Sequence, residues 1–336
     1  MKSQTTLERI VPQTKTRYFQ VAPGVWGMKI VFVNIYMVKT SDEDSNNWIL
    51  IDAGLKGSTK DIIEMAESLF GKGTMPSAII LTHGHFDHVG CLKELLKIWN
   101  TQVFSHPLEM PYLTGKSSYP PPDPSVGGGF LSLMSWTFPK RPINLGNRVK
   151  KLSENGVIPG ISGWTYIHTP GHAPGHISLF REKDRTLIAG DAFVTTKQES
   201  IFSAITQAKR FSGPPKYFTN DWIAASESVK KLADLQPEFA GTGHGVPVQG
   251  EELKQELTNL SYNFSQLAIP KHGRYVKEPA IMDKKGVQYV PPKDFNPLLT
   301  ASIFAFLALG TYIVVKKVKE GKSFSGSKLL KKLQLL

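Results

Sequence analysis

The stretch Thr82-His83-Gly84-His85-Phe86-Asp87-His88 places three histidines and one aspartate within seven residues. It comes directly after the apolar run Ala78-Ile79-Ile80-Leu81, which predicts a buried strand. Because a strand end is rigid, the turn that follows it can direct several side chains at one point. Imidazole nitrogens and carboxylate oxygens are the ligands that zinc and similar divalent ions prefer. The stretch therefore predicts part of a metal site, whose other ligands must come from elsewhere in the chain.

The distribution of charge along the chain gives no support to a nucleic-acid partner. The chain has 336 residues, enough to bury a full core, and a net charge of +12. Residues 271–336 hold 13 Lys and Arg against 4 Asp and Glu, whereas the first 270 residues hold 27 against 24. A nucleic-acid enzyme is expected to spread basic charge over its working face. Here the excess lies in the C-terminal segment.

The single cysteine, Cys91, excludes an internal disulfide framework and a cysteine-rich zinc site. We expect it to pack as a small hydrophobic side chain, with a reactive thiol as the alternative. The polar N-terminus, residues 1–18, lacks the apolar core of a secretory signal.

Strand-like and helix-like patterns alternate along residues 1–268 and predict an α/β layered catalytic domain. Residues 111–147 interrupt this alternation with Pro-rich and Gly-rich stretches among Phe, Leu, Met and Trp. A long irregular segment of this kind is more often functional than passive. We expect a lid or a pocket wall, and the alternative is a peripheral packing excursion.

The C-terminal part predicts a membrane anchor. Residues 269–297 are basic, contain prolines and indicate a linker, and residues 298–315 carry no charge over 18 positions. That length is at the short end of a bilayer-spanning helix, and a basic tail, residues 316–336, follows it. The expectation is a single-pass C-terminal anchor in the cell membrane with a cytoplasmic catalytic domain. The alternatives are a buried core helix, a segment lying on the membrane, or one that docks with a partner.

Three more candidate ligands occur downstream, each beside glycine. His172 lies in Thr169-Pro170-Gly171-His172-Ala173-Pro174-Gly175-His176, Asp191 ends an apolar run, and His244 lies in Gly241-Thr242-Gly243-His244-Gly245. Glycine permits the tight turns and close backbone approach that a ligand cluster needs. Taken singly, each of these residues is more typical of a structural polar group.

Taken together, these residues resemble the metallo-β-lactamase fold superfamily. Asp52, in Ile51-Asp52-Ala53-Gly54, matches the first motif of that superfamily, and the resemblance runs from about residue 20 to 265. It implies a four-layer αββα sandwich. It also implies a binuclear site whose metal ligands are His83, His85, Asp87, His88, His172, Asp191 and His244.

The resemblance implies a role for each ligand. His83, His85 and His172 would bind one metal, and Asp87, His88 and His244 the second. Asp191 would bridge the two ions, and Asp52 would orient ligands without binding metal. His176 could be a ligand by its residue type, but the same pattern implies a turn or pocket residue. Surface or packing roles are expected for His106, His168 and His272.

The chemistry implied is hydrolysis with two divalent ions, zinc first and manganese, iron or cobalt as alternatives. Two such ions lower the pKa of a bridging water, so that hydroxide forms near neutral pH. Asp87 would both ligate and accept or relay the proton. The expected substrate is a small ester, lactone, thioester or lactam, since the layout is similar to N-acyl-homoserine-lactone lactonases and glyoxalase II-like thioesterases. For glutathione thioesters, Lys209, Arg210 and Lys216 are candidate binding residues, and ordinary surface charge is the alternative.

Other activities occur on the same fold. A mononuclear iron sulfur dioxygenase and a flavodiiron protein are redox alternatives. A full set of second-metal ligands argues against the first, and the second is disfavoured because the diiron relatives have a carboxylate at the place of His85. A nucleic-acid phosphodiesterase is a third alternative, which the near-neutral catalytic domain disfavours. An inactive membrane-bound scaffold is a fourth, and retention of every ligand argues against it.

Overall fold

The computed structural model describes residues 18–40 and 47–293, together with Tyr312. The chain forms two compact units, Met1–Pro292 and Lys293–Leu336. The described helices and strands with printed bounds, from Tyr18 to Tyr289, all belong to the first unit.

A seven-stranded sheet comes from the first part of this unit. Its strands are β1 (Tyr18–Ala22), β2 (Val25–Ile30), β3 (Val33–Lys39), β4 (Trp48–Ile51), β5 (Ala78–Ile80), β6 (Val103–Ser105) and β7 (Val149–Lys151), which lie side by side in chain order. Strands β1 to β4 pair antiparallel, whereas β4 to β7 pair parallel. Because parallel strands need crossover connections, α1 (Thr59–Phe70) joins β4 to β5 and α2 (Leu92–Ile98) joins β5 to β6. The carboxyl ends of β4, β5 and β6 therefore meet at one edge.

A five-stranded sheet follows in the chain. Its strands are β8 (Trp164–His168), β9 (Ile177–Arg181), β10 (Thr186–Ile188), β13 (Phe239–Gly241) and β14 (Val248–Gln249), in the spatial order β14-β13-β10-β9-β8. Strands β10 and β13 are parallel, while β9 runs antiparallel to β10. The ends of β10 and β13 and the start of β9 consequently lie at the same edge.

The remaining elements are short strand pairs and helices. They are α3 (Met110–Leu113), α4 (Phe130–Met134), β11 (Val194–Thr196), α5 (Ile201–Thr206), β12 (Lys209–Ser212), α6 (Trp222–Asp234), α7 (Gly250–Tyr262), α8 (Phe264–Leu267), α9 (Arg274–Lys277), β15 (Ile281–Asp283) and β16 (Gly286–Tyr289). Strand β11 pairs with β12, and β15 pairs with β16.

The alternating side chains of β4 show how the layers form. Trp48 and Leu50 belong to a core shared with α1 and α2, whereas Ile49 and Ile51 belong to a core shared with the second sheet. On the far face of the second sheet, Leu187 packs with residues of α6 and α7. The order of layers is helix, sheet, sheet, helix, so the predicted four-layer αββα sandwich is confirmed.

The prediction of a transmembrane helix over residues 298–315, and with it the membrane localisation, is corrected. Within 18–40, 47–293 and Tyr312, no helix combines the length and the apolar character that a bilayer crossing requires. Apart from Tyr312, residues 298–315 lie outside the described residues, as does the tail 316–336. An uncharged run of 18 residues only just reaches the length of a span, and is therefore a weak basis for an anchor.

Residues 269–292, predicted as part of a linker, pack with the rest of the first unit. The buried Tyr275 of α9 donates its hydroxyl to the carbonyl of Pro121 at 2.6 Å. The N–H of Ala280 donates to the carbonyl of Asn220 at 3.0 Å. The first compact unit therefore continues past residue 268, to Pro292.

Candidate metal centre

The turns after β4 and β5 bring the first candidate ligands together. Asp52 follows β4 with a φ of 62°, and its Oδ1 accepts the N–H of Thr82 at 2.8 Å. Its Oδ2 accepts the Thr82 hydroxyl at 2.7 Å and lies 2.8 Å from His88 Nδ1. Asp52 thus fixes the start of the histidine-rich turn and the ring of His88, as expected of a residue that orients ligands.

The second sheet supplies the other candidates at its own edge. His172 lies in the turn between β8 and β9, Asp191 follows β10, and His244 follows β13. Since these three strand ends share one edge, side chains far apart in sequence converge. All seven residues predicted as ligands are buried.

The first group of donor atoms comes from His83, His85 and His172, whose ligand atoms all lie within 4.8 Å of one another. His83 Nε2 and His85 Nδ1 are 2.9 Å apart, and His85 Nδ1 and His172 Nε2 are also 2.9 Å apart. This is the set of residues that the sequence assigns to one metal.

Two further donor groups lie beside it. Asp87, His88 and His244 form the second donor group, and a third group, His83, His88 and Asp191, shares His83 with the first and His88 with the second. Asp191 Oδ2 lies 3.1 Å from His244 Nε2, 3.3 Å from His172 Nε2 and 3.6 Å from His88 Nε2. This carboxylate therefore stands between the first donor group and the second.

The donors fit divalent cations. His88 Nε2 and Asp191 Oδ1 are buried and have no hydrogen-bond partner, which is costly in a protein interior unless a cation satisfies them. Burial lowers the pKa of His83 and of His85 well below the usual value, and it lowers that of His172 to about 4. Neutral imidazoles keep a lone pair for a metal. Imidazole nitrogens together with carboxylate oxygens are a donor set that zinc accepts.

The carboxylate between the groups is ionised. Burial alone would raise the pKa of Asp191, but His244 and His88 hold it well below the usual value. In return Asp191 raises the pKa of His88 and of His244, although burial alone would lower both. The centre thus combines an anionic oxygen donor with surrounding imidazoles.

The other histidines lie outside the donor groups. His176 accepts the N–H of Asp191 on its Nε2 at 2.8 Å, and its Nδ1 lies 2.9 Å from the Thr169 hydroxyl. It therefore holds Asp191 in place. His106 and His168 stack on each other with ring centroids 4.1 Å apart, and His272 is exposed.

An aromatic wall, defined as Phe86, Phe138 and Phe218, borders the first donor group. The ring of Phe218 stacks on His85 with centroids 4.7 Å apart. Phe138, from the 111–147 segment, lies 5.8 Å from Phe86 and 6.1 Å from Phe218. The sequence motifs predict no role for any of the three, although the position of Phe86 inside the histidine-rich stretch was a signal.

Two further residues near the centre were also missed. Glu109 follows β6, at the same edge as Asp52 and the histidine-rich turn, and is completely buried. Tyr119 packs its ring against His85 with centroids 4.5 Å apart. The position of Glu109 after a parallel strand was the available signal. Lys209, a candidate for binding glutathione, instead forms a salt bridge with Glu252 at 2.6 Å.

The comparisons with known proteins agree with this geometry. A model of the metallo-beta-lactamase superfamily matches residues 28–244. The chain is 43% identical over 249 residues to the probable metallo-hydrolase YflN of Bacillus subtilis (strain 168), covering 74% of this chain and 94% of that one. It is 29% identical over 214 residues to the probable metallo-hydrolase YybB of the same organism, covering 63% of this chain and 82% of that one.

A solved structure supports the fold alone. BJP-1, a subclass B3 metallo-beta-lactamase of Bradyrhizobium japonicum, superposes with a TM-score of 0.50 at 20% identity, covering 75% of this chain and 93% of that one. The family model spans well over half of the chain and includes the whole predicted ligand set. The chain therefore belongs to the metallo-beta-lactamase superfamily, as its sequence motifs predict.

Proposed function

We propose that this metallo-hydrolase holds two divalent ions, with zinc as the first candidate, and hydrolyses a small ester, lactone, thioester or lactam. One observation carries the proposal. His83, His85 and His172 form one three-donor group, Asp87, His88 and His244 form another, and Asp191 lies between them. A mononuclear site would leave one of these buried donor groups without a cation.

When bound, the two ions would supply Lewis acidity toward the substrate oxygen and an activated water. The protein residues have separate tasks. His176 and Asp52 hold Asp191 and His88 in orientation. Asp87, at 6% exposure, is the least buried of the seven donors. We therefore assign to Asp87 the second task of accepting the proton that the attacking water releases.

The aromatic wall favours a substrate with an apolar acyl or aryl part. Phe218 packs directly on His85. Phe138, which belongs to the 111–147 segment, is in aromatic contact with Phe218. A flat apolar group bound there would lie beside the first donor group. This supports the hypothesis that the 111–147 segment is a pocket wall.

Metal analysis combined with a substrate panel tests the proposal. Protein loaded with zinc, manganese, iron or cobalt is assayed against lactones, thioesters, aryl esters and lactams. We expect two ions per chain and hydrolysis of at least one of these classes. One iron per chain, with oxygen consumption and no hydrolysis, would instead support the sulfur dioxygenase-like alternative.

Ligand variants sharpen the test. His85→Ala and Asp191→Ala are expected to lower the metal content and to abolish hydrolysis. His272→Ala is the matched control, because His272 is an exposed histidine outside every donor group. Unchanged metal content in His85→Ala and Asp191→Ala would contradict the proposed centre.

A further inference from the structure

Glu109 connects two turns that carry candidate ligands. Its Oε2 accepts the N–H of Gly84 at 2.9 Å, and its Oε1 accepts the N–H of Gly175 at 2.8 Å. Gly84 lies between His83 and His85, and Gly175 lies three residues after His172. A single buried carboxylate thus binds the backbone of both turns that supply the first donor group.

Tyr119 completes this connection. Its hydroxyl donates to Glu109 Oε2 and also accepts the N–H of Gly84 at 2.9 Å. The space around Gly84 is filled, since a Cβ atom built there would lie 2.7 Å from the Tyr119 hydroxyl. The His83-Gly84-His85 turn is therefore clamped by two side chains from the β6–β7 connection.

The clamp acts on one donor group and not on the other. The hydrogen bonds that the structure gives Glu109 reach Gly84, Tyr119 and Gly175, and none reaches Asp87, His88 or His244. The ligands of the second group are held instead by Asp52, which pairs with His88, and by the carbonyl of Phe32, which lies 2.8 Å from His244 Nδ1. Asp52 also bonds Thr82 at the start of the histidine-rich turn, whereas the backbone groups that Glu109 binds lie only in the turns of the first group.

We propose that Glu109 and Tyr119 are positioning residues that set the spacing between His83, His85 and His172, and thereby the affinity of the site these histidines form. This inference rests on the proposed binuclear centre. Both carboxylate oxygens of Glu109 accept backbone N–H groups, so Glu109→Gln must turn its NH₂ group toward one of these donors. One of the two turns then loses its bond.

The experiment measures the two metal affinities separately. Metal-free protein is titrated with Zn²⁺ in competition with a chromophoric chelator, and Co²⁺ spectra report the geometry of each site. Glu109→Gln and Tyr119→Phe are each expected to lower the metal affinity of the site of His83, His85 and His172 by about 10- to 100-fold. The affinity of the site of Asp87, His88 and His244 should not change. Tyr119→Phe keeps the ring that packs on His85 and removes only the hydroxyl, so it decides the matter if Glu109→Gln does not fold.

Two matched controls distinguish positioning from general stability. Tyr112 stacks on Tyr119 at 4.0 Å, and its buried hydroxyl has no partner, so Tyr112→Phe removes a hydroxyl outside the clamp. Asp123 is a buried carboxylate that accepts the N–H groups of Ser125 and Arg274, away from the ligand turns. We expect Tyr112→Phe and Asp123→Asn to keep both affinities, even where urea unfolding shows a loss of stability.

The outcomes separate the two proposals. If the wild-type protein does not bind two ions, the binuclear centre itself is wrong. If it binds two ions and both clamp variants keep wild-type affinities, the positioning role is overturned and the centre stands. An equal loss of metal affinity at both sites in Tyr119→Phe would also overturn the role, because the hydrogen bonds of the clamp reach the turns of the first donor group.

Discussion

At the scale of single residues, Asp52 decides which nitrogen of His88 is available. Its Oδ2 lies 2.8 Å from His88 Nδ1 and accepts the proton on that nitrogen. Nε2, the buried nitrogen without a hydrogen-bond partner, is then the one available to a cation. A residue outside the three donor groups thus orients a member of the second one.

Asp52→Asn is expected to reverse this arrangement. The amide oxygen can still accept the N–H of Thr82, but the amide NH₂ then faces His88 Nδ1 and favours the tautomer with its proton on Nε2. We expect the affinity of the second site to fall by about 10- to 100-fold, as measured by chelator competition. Asp184→Asn, which alters the ion pair with Arg181, is the control. Wild-type affinity in Asp52→Asn would contradict this role.

The stacked pair of His106 and His168 makes stability depend on pH. Burial, the neighbouring His168 and Lys284 together lower the pKa of His106 from 6.5 to about 4. Between those values the unfolded chain takes up a proton that the folded chain does not. The free energy of unfolding therefore decreases as the pH falls from about 6.5 to about 4.

His106→Asn tests this dependence. Asparagine does not titrate, and it can still cap the N–H of Leu108, which His106 Nδ1 now accepts at 3.3 Å. Urea unfolding of metal-free protein at pH 7 and pH 5 should show a smaller loss of stability in the variant than in the wild type. Equal losses would show that His106 does not contribute.

At the scale of elements, the long connection between β6 and β7 contains the 111–147 segment. Thr114 and Asn144, near the two ends of this segment, form a β-bridge with each other. Through Phe138 it reaches the aromatic wall beside His85. The pocket wall that we propose is therefore part of a connection between two strands.

Phe138→Ala is expected to raise KM for substrates with an apolar or aromatic acyl group by about tenfold or more, since a buried aromatic contact contributes over 1 kcal/mol. Metal content should not change, because Phe138 touches no donor atom. Trp136→Ala is the control within the same segment, since that side chain is 65% exposed. An equal rise in KM for both variants would contradict a wall formed by Phe138.

The outer helix α1 is held by an aromatic stack. Phe70, its last residue, stacks on the buried Trp48 with centroids 4.9 Å apart and an interplanar angle of 4°. We expect Phe70→Ala to lower the free energy of unfolding by about 3–5 kcal/mol, measured by urea unfolding. Ile98→Ala should change it by about 0.5 kcal/mol or less, because Ile98 is exposed. A loss below about 1 kcal/mol for Phe70→Ala would contradict the stack.

How far these elements are predictable depends on how local their signals are. Strand β5 and the turn after it can be predicted from the sequence, because an apolar run and four ligand-type residues are adjacent in it. The role of Glu109 cannot be predicted in this way, since its hydrogen bonds reach residues 25 and 66 positions away in the chain. Phe138 likewise acquires its role only from the tertiary fold. The uncharged run at 298–315 shows the opposite failure, in which a local pattern predicts an anchor that the described structure does not support.

At the scale of the whole molecule, each donor group draws on both sheets. His83 and His85 come from the first sheet and His172 from the second, while Asp87 and His88 come from the first and His244 from the second. Bound ions would therefore join the two layers of the sandwich. Metal binding would in this way be linked to the stability of the sandwich.

Removal of metal is expected to destabilise the protein as a whole. A ligand present at 100 times its dissociation constant adds about 2.7 kcal/mol to the free energy of unfolding. Treatment with a chelator should lower Tm, and back-titration with Zn²⁺ should restore it. Asp191→Ala is the control, since its Tm should respond little to the chelator. A wild-type Tm unaffected by the chelator would contradict metal linkage of the two sheets.

The contiguity of the two sheets along the chain has a consequence for assembly. Strands β1 to β7 end at Lys151, β8 begins at Trp164, and the exposed Asn155 lies between them. A chain cut at Asn155 would yield two fragments, each with one of the two large sheets and an incomplete set of candidate ligands. The ions that we propose for the centre would then join the two fragments, and their concentration would govern how much protein is reconstituted from its halves.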